Sequence, residues 1–335
     1  MLSRSENGNW DIHYVIYLNN LIMKSTHHIK TFSYLVLVSA MLFISSCNKD
    51  DDKPAPKNIT QIVVDGADFS LLETAVLTAQ LEGVLANTPN LTVFAPTNAA
   101  FLAAGYTEAV IKNTSKTALQ ALLQYHVLSS IVTSGNVPAG PNAEVATLGG
   151  VKLFTTRGAN GVFINGVKVT TADVSAANGV IHIIDRVLVP PAGNIVATAQ
   201  AVPTLSYLVA AVLRADASGT SISGALSAAG PLTVFAPTNQ AFIDAGFPTI
   251  AAINAADPNT LKNILLYHVI GARVFSSDLT EGAQPITVQG SKVTIKLAGG
   301  AKVRGIANTV DATIAITNIV TTNGVVHLID KVLIP

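Results

Sequence analysis

The chain repeats itself, and this repetition limits the possible folds more than any other feature of the sequence. A unit of roughly 140 residues is a whole globular domain rather than one turn of a solenoid. The sequence therefore predicts two copies of one domain, at residues 59–190 and 193–335. Three blocks occur twice in the same order: LTVFAPTN from Leu91 and Leu232, Tyr-His-Val from Tyr125 and Tyr267, and a closing NG-containing block from Asn178 and Asn323.

Charge and cysteine content exclude several classes of protein. The 20 basic residues balance 20 acidic ones, and charged residues make up only 12% of the chain against 49% apolar residues. Neither repeat carries the basic surface that nucleic-acid binding needs, whereas the apolar content is ample for two cores. The single cysteine, Cys47, excludes an intrachain disulfide, so we expect apolar burial to stabilise both domains.

Residues 23–46 have the order of parts found in a secretory signal. A basic start is followed by an apolar run at residues 32–44 and by small residues before Cys47. The tetrapeptide Ile-Ser-Ser-Cys resembles the bacterial lipobox, in which signal peptidase cuts before the cysteine and the thiol is acylated. We therefore expect lipidation of Cys47. Residues 1–22 have no place in this signal and are interpreted as an extension of the gene model.

The segment that follows this cysteine is charged and contains proline. Residues 47–58 are therefore expected to form an extended tether between the lipid and the first domain. The triplet Asp50-Asp51-Asp52 resembles the acidic sorting tract of surface-displayed lipoproteins in some Gram-negative bacteria, while a plain solvated linker explains it equally well. The expected location is the cell envelope, lipid-anchored at the outer membrane and exposed at the surface.

Within each repeat, helical patterns precede strand patterns, which favours an α+β fold. Ser70 and Glu73 have the spacing of a capping box, and Asp257 followed by proline predicts another helix start. The stripe that ends at His126 or His268 has helical spacing, so each of these histidines is expected on a buried face. Later in the repeat, Asn-Gly turns and alternating residues predict hairpins, and residues 180–189 predict a central strand. The short link at residues 190–193 favours a fixed or semi-rigid pair of domains.

The three blocks resemble the signatures of the fasciclin, or FAS1, domain. TVFAPTN followed by phenylalanine, the Tyr-His pair and the closing NG-apolar-apolar-His block all occur in order, twice. The resemblance implies a compact β-wedge of about seven strands with packed helices in each domain, and extracellular adhesion or matrix binding as the role. It also implies that the motif residues are structural: Tyr125, His126, His182, Asp185, Tyr267, His268, His327 and Asp330.

The histidines also invite a metal or acid–base interpretation. A metal site needs three or four ligands, but each repeat offers two histidines and one nearby aspartate. On a strand, His182 and Asp185 point to opposite faces because they are three residues apart. We therefore predict buried imidazoles that bond to backbone or hydroxyl groups, with no metal and no cofactor. Thr97 and Asn98 are likewise expected to cap helices rather than to bind a ligand.

Two functions from different classes follow from these patterns. The first is a non-catalytic, membrane-anchored adhesion protein whose partner is a matrix protein, a cell-surface protein or a polysaccharide. The alternative is a glycan-binding accessory lipoprotein of an uptake system, which the position of the single tryptophan, Trp10, before the predicted signal disfavours. An enzyme is not expected, since the sequence lacks a phosphate-binding loop and a serine nucleophile elbow.

Overall fold

The computed structural model describes residues 55–335, and Pro56–Pro335 form one compact unit that contains both repeats. In each repeat, six α-helices and the first strand precede the remaining strands of a mixed sheet, so the predicted α+β class is confirmed. The first domain has helices α1 (Ile59–Asp65), α2 (Ser70–Ala79), α3 (Glu82–Asn87), α4 (Asn98–Ala103), α5 (Glu108–Asn113) and α6 (Lys116–Gln124). Its strands are β1 (Leu91–Pro96), β2 (Val127–Leu128), β3 (Gly140–Ala146), β4 (Lys152–Gly158), β5 (Gly161–Ile164), β6 (Val167–Ala176) and β7 (Gly179–Ile184).

The second domain repeats this order of elements. Its helices are α7 (Ile195–Ala201), α8 (Ser206–Asp216), α9 (Ile222–Ser227), α10 (Asn239–Asp244), α11 (Ile250–Ala255) and α12 (Pro258–Tyr267). Its strands are β8 (Leu232–Pro237), β9 (Val269–Ile270), β10 (Thr294–Lys296), β11 (Lys302–Arg304), β12 (Ala312–Thr321) and β13 (Gly324–Ile329). The duplicated blocks therefore occupy duplicated elements, because the same local patterns dictate the same local structure.

The closing block forms the centre of each sheet. In the first domain the strand order is β2-β1-β7-β6-β5-β4-β3, so β7 lies between β1, which runs parallel to it, and β6, which runs antiparallel. Strand β7 is apolar on both sides because one face packs against the helices and the other against the hairpin strands. The predicted central strand is confirmed, although it ends at Ile184.

The sheet of the second domain has six strands, in the order β10-β11-β12-β13-β8-β9. The segment that corresponds to β3 is reduced to a single bridge between Ile286 and Lys292. Pro285 precedes this bridge, and a proline cannot donate an N–H to a neighbouring strand. The segment still bonds to its neighbour, since Ala283 and Pro285 accept from the Ile295 and Val293 N–H groups, but the ladder lacks a donor at Pro285.

The predicted capping box at Ser70 is wrong, and its replacement reveals what the LTVFAPTN block does. Helix α2 starts at Ser70 itself, directly after the 3₁₀ turn Ala67–Phe69, and no side chain of its N-cap residue bonds to the first turn. Instead Asn98 Oδ1 accepts from the Leu71 N–H at 2.9 Å, and Asn98 Nδ2 donates to Ser70 Oγ at 3.0 Å. A residue 27 positions away therefore caps the helix.

Other local predictions are confirmed. Asp257 caps α12 by accepting from the Thr260 N–H at 2.8 Å, with proline at the first helical position. Thr97 caps α4 in the same way, and Asn239 in the second domain bonds to Tyr207 as Asn98 does to Leu71. In the hairpin of β5 and β6, Asn165 and Gly166 both have positive φ, at 51° and 74°. These angles match the type I′ turn that the Asn-Gly pair predicts.

The helices in the described part of the chain are short, and the longest, α8, has 11 residues. Among residues 55–335 no single helix is long and apolar enough to cross a bilayer. One pair, Ile195–Ala201 and Pro203–Asp216, meets the length and composition criteria only together, and a bend of 110° separates its two members.

Candidate functional site

The Tyr-His pair lies where helix α6 ends and the sheet begins. His126 is only 2% exposed. Its Nδ1 lies 2.8 Å from the Leu122 carbonyl oxygen, and its Nε2 accepts from the Leu188 N–H at 2.9 Å. The second domain repeats this arrangement, since His268 bonds to the Ile264 carbonyl and to the Leu333 N–H, both at 2.8 Å. Each ring therefore fastens a helix end to the chain after the central strand.

These bonds fix the protonation state of both rings. Nδ1 faces a carbonyl and must donate, whereas Nε2 faces an N–H and must accept, so each imidazole is neutral. Burial lowers the pKa of His126 and of His268 to about 4, because the core cannot solvate a charged ring. Neither ring keeps a lone pair for a metal or for proton transfer.

The closing histidines are satisfied by backbone groups as well. His182 Nε2 lies 2.8 Å from the Val132 carbonyl oxygen, and its Nδ1 accepts from the Asp173 N–H at 3.2 Å. His327 makes the corresponding bonds to Val274 and to Asn318, at 2.9 and 3.2 Å. Burial lowers the pKa of His327 to about 4. Within residues 55–335, no cluster of three or more His, Cys, Asp or Glu residues could hold a metal ion.

The first and the closing sequence blocks meet through aromatic contacts in the core. The Phe94 ring, from LTVFAPTN, stacks on His182 of the closing block with centroids 5.6 Å apart, and Phe235 stacks on His327 at 5.7 Å. These offset-stacked pairs add packing energy to the hydrogen bonds of the rings. The motif histidines thus join the first strand, the central strand and the loop after β2.

The motif tyrosines connect the helix end to the hairpins. The Tyr125 hydroxyl donates to the Lys152 carbonyl at 3.2 Å and accepts from Asn165 Nδ2 at 2.9 Å. Burial raises the pKa of Tyr125 to about 12. Tyr267 donates to the Lys292 carbonyl at 2.6 Å and accepts from a backbone N–H, and burial raises its pKa too. Each hydroxyl is therefore used inside its own domain.

The motif aspartates lie apart from the histidines. Asp185 is exposed just after β7, while His182 points into the core. Asp330 Oδ1 accepts from the Thr313 N–H at 2.7 Å and so closes the end of the β12–β13 pair. The structure thus separates these carboxylates from the imidazoles that precede them by three residues. The predicted lipidation site, Cys47, lies outside the described residues.

Residues that the motif analysis missed hold the two domains together. Asn142 Nδ2 donates to the Arg273 carbonyl at 2.8 Å and to Asp278 Oδ2 at 3.2 Å. Phe154 packs on Phe275 with centroids 6.0 Å apart, and the Arg273 guanidinium lies 3.7 Å from the centre of the Phe154 ring. This is a cation–π contact between the domains. Burial lowers the pKa of Arg273, but arginine remains charged throughout the physiological range.

A close backbone approach completes this junction. Asn318 Nδ2 donates to the Gly166 carbonyl at 3.3 Å, across the domain boundary. A Cβ at Gly166 would lie 2.5 Å from Asn318 Nδ2 and 2.8 Å from Phe275 Cβ, so only glycine fits there. The expectation of a fixed pair of domains therefore has a structural basis beyond the short link.

One signal in the sequence points to this junction, namely the positions at which the two copies differ. Arg273 follows its motif histidine by five residues, and the residue at that place in the first copy is Ile131. Asn318 likewise corresponds to Asp173, since both have positive φ and both donate an N–H to the closing histidine. Features that both copies share describe one domain, whereas the differences describe how the pair is joined.

Comparisons with known proteins agree with this architecture. The Fasciclin domain profile matches residues 67–190 and 204–335. A cyanobacterial relative, protein sll1483 of Synechocystis, is 40% identical over 135 residues, which cover 40% of this chain and 73% of that protein. Human periostin is 30% identical over 233 residues, covering 68% of this chain and 26% of periostin.

Two further matches span more of the chain. The transforming growth factor-beta-induced protein ig-h3 of the pig is 29% identical over 305 residues, covering 88% of this chain and 40% of that protein. This chain therefore spans less than half the length of these animal relatives. A solved FAS1 domain pair from the insect cell adhesion molecule fasciclin I matches 82% of this chain and 94% of its own, with 19% identity and a TM-score of 0.39.

Proposed function

Because this chain belongs to the fasciclin domain family, we propose that it is a non-catalytic, membrane-anchored protein for extracellular adhesion or matrix binding. One observation carries the proposal. Both domains use their motif histidines and tyrosines in internal hydrogen bonds, so these groups are unavailable for chemistry. Recognition then falls to the outer faces of the domains. The partner would be a matrix protein, a cell-surface protein or a polysaccharide.

Anchoring is the second part of the proposal. A lipid on Cys47 would hold the chain at the outer membrane, and residues 47–56 would extend the first domain away from the bilayer. The predicted tether is shorter by two residues, because the Lys57 carbonyl accepts from Ala177 and Asn58 caps helix α1. The signal-like segment before Cys47 supports this, as does the position of the chain's single thiol directly after two serines. The acidic triplet Asp50-Asp51-Asp52 fits display at the cell surface and fits a plain linker equally well. Two domains on one tether would also raise avidity wherever both reach a partner.

The experiment is a comparison of cells that express the full chain with cells that express Cys47→Ala. Metabolic labelling with a fatty acid tests lipidation, and protease treatment of intact cells tests display. Adhesion is then measured on surfaces coated with matrix proteins or with polysaccharides. We expect label, display and adhesion for the unaltered chain and loss of all three for Cys47→Ala. Equal adhesion of the two strains and of cells without the gene would contradict the proposal.

The same assay tests the alternative of a glycan-binding accessory to an uptake system. That role predicts binding of soluble polysaccharide and uptake that depends on the protein, without a contribution to adhesion. Catalytic turnover of any bound polysaccharide would overturn both functions.

A further inference from the structure

A polar groove runs along the junction between the two domains, on the side where Asn142 bonds to Arg273. Its volume of about 510 Å³ is within the roughly 300–1,000 Å³ of typical ligand sites. The first domain contributes Asn142, Glu144 and Phe154 to its lining. The second domain contributes Gly271 and Arg273 together with backbone from neighbouring loops. Neither domain forms this groove alone.

The groove depends on side chains that occur in only one of the two repeats. Arg273 takes the place of Ile131. Thr147 and Thr287 occupy corresponding positions, because the N–H and the hydroxyl of each bond to the carbonyl four residues later. Seven positions after this threonine, the first domain has Phe154 and the second domain has Thr294. The Arg273 guanidinium and the Phe154 ring on which it lies therefore occur only at this junction among the described residues.

Hydrogen-bonding capacity is left over on both sides of the groove. The Arg273 guanidinium has five N–H groups, and in the described part of the chain it donates one hydrogen bond, from Nη1 to the Gly324 carbonyl at 3.2 Å. Asn142 uses Nδ2 to hold the junction, but its buried Oδ1 has no hydrogen-bond partner among residues 55–335. Because Oδ1 is buried, it cannot be reached from the groove, and the acceptor on the first-domain side is the exposed Glu144 carboxylate.

We propose that the groove binds a uronic acid unit of an acidic polysaccharide, a partner class that rests on the proposed adhesion function. The sugar carboxylate would pair with the open N–H groups of Arg273, the geometry in which arginine binds carboxylates best. Sugar hydroxyls would donate to the exposed Glu144 carboxylate, whose Oε2 also accepts from Lys152 Nζ at 2.5 Å. Glu144 accepts hydrogen bonds from hydroxyls but repels carboxylates, so the groove favours a hydroxyl-rich acidic sugar over an acidic peptide, whose side chains offer no hydroxyl donors.

Gly271 provides a variant that blocks the groove without disturbing the fold. It is exposed in the lining, and a Cβ at this position meets no atom within 4 Å. Gly271→Tyr should therefore fill the groove and leave the junction intact. The matched control is Ser129→Tyr, because Ser129 is the exposed residue at the same place in the first domain, three positions after its motif histidine. Thermal melting verifies that both variants fold.

The test is calorimetric titration of the full chain, purified in detergent, with an oligogalacturonate and with its methyl ester, in which a methyl group replaces the charge of each carboxylate. We expect binding of the acid and not of the ester, with affinity that falls as salt is added. Gly271→Tyr and Arg273→Ile should each weaken binding about tenfold or more, while Ser129→Tyr should bind normally. Absence of binding, equal binding of the ester, or equal binding by Gly271→Tyr would overturn the proposal.

Three further outcomes test the identity of the ligand and separate this inference from the proposed function. Tighter binding of an oligoaspartate peptide than of the uronate would identify an acidic protein as the ligand and overturn the assignment of the sugar. If cells bearing Gly271→Tyr adhere as well as unaltered cells, the groove is not the adhesive surface, yet the adhesion function stands. If cells with the unaltered protein do not adhere while the purified protein still binds the uronate, the adhesion function is wrong and the assignment of the groove as a uronate site stands.

Discussion

The imidazole of His126 accepts a hydrogen bond from the backbone N–H of Leu188, a residue 62 positions further along the chain, over 2.9 Å. The same ring donates to Leu122 one turn back in helix α6. His268 and Leu333 form the same pair in the second domain. One neutral side chain thus joins the helical layer to the end of the central strand, and it does so twice.

Replacing His126 by leucine should destabilise the protein without affecting a ligand. Leu188 would keep a buried N–H with no acceptor, and the Leu122 carbonyl would lose its donor. Unsatisfied buried groups of this kind cost about 1–3 kcal/mol each, so we expect the two together to cost about 2–6 kcal/mol. Urea denaturation measures it. An unchanged midpoint would show that the ring does not hold the helix to the sheet.

The buried histidines should also make stability depend on pH. The pKa of His126, His268 and His327 falls to about 4 in the fold, whereas an unfolded histidine has a pKa near 6.5. The unfolded state therefore takes up protons first. The contribution of these rings is complete above about pH 6.5 and is lost as the pH falls towards 4.

Between pH 7 and pH 5, each of these three rings should cost about 2 kcal/mol of unfolding free energy. Urea denaturation at the two pH values measures the change, and few carboxylates titrate in this window. Imidazole proton shifts, followed by NMR, should remain those of neutral rings at pH 5. A free energy of unfolding that stays constant over this range would contradict the neutral state of the buried rings.

Asn98 should act as a helix cap from a distance. Asn98→Ala removes the acceptor for Leu71 and the donor to Ser70, and loss of a cap costs about 1–2 kcal/mol. The control is Asn87→Ala, since exposed Asn87 donates only to Gly83 in its own helix. The control should change stability by less than about 0.5 kcal/mol. Equal effects of the two substitutions would argue against a capping role for Asn98.

The junction can be tested by exchanging the residues at which the copies differ. Asn318→Asp would replace the donor to the Gly166 carbonyl with a carboxylate oxygen, so the domains should separate more readily. The matched control is Asp173→Asn, at the corresponding position of strand β6 in the first domain. There the side chain accepts from the Ser134 N–H and makes no hydrogen bond to the other domain among the described residues.

NMR relaxation or small-angle scattering reports whether the two domains tumble as one body. We expect independent motion in Asn318→Asp and a rigid pair in Asp173→Asn. A pair that stays rigid in both variants would mean that Phe154, Phe275 and Arg273 suffice to fix the domains.

The sequence predicted most of what depends on short-range physics. The α12 cap at Asp257, the Asn165-Gly166 turn and the apolar central strand follow from backbone sterics and from periodicity, which act within a few residues. The buried motif histidines followed from helical spacing in the same way. Ser70 shows the limit of such rules, because a 3₁₀ turn before the helix removed the residue from the N-cap position.

By itself, then, the sequence determined that one domain occurs twice, which layers it has and which side chains its core needs. Only the tertiary structure decided how the two copies meet. Asn142 reaches Arg273 across 131 positions and Asn318 reaches Gly166 across 152. Contacts between residues so far apart in sequence leave no periodic pattern, because they depend on the complementarity of two folded surfaces. They also involve residues that differ between the two copies.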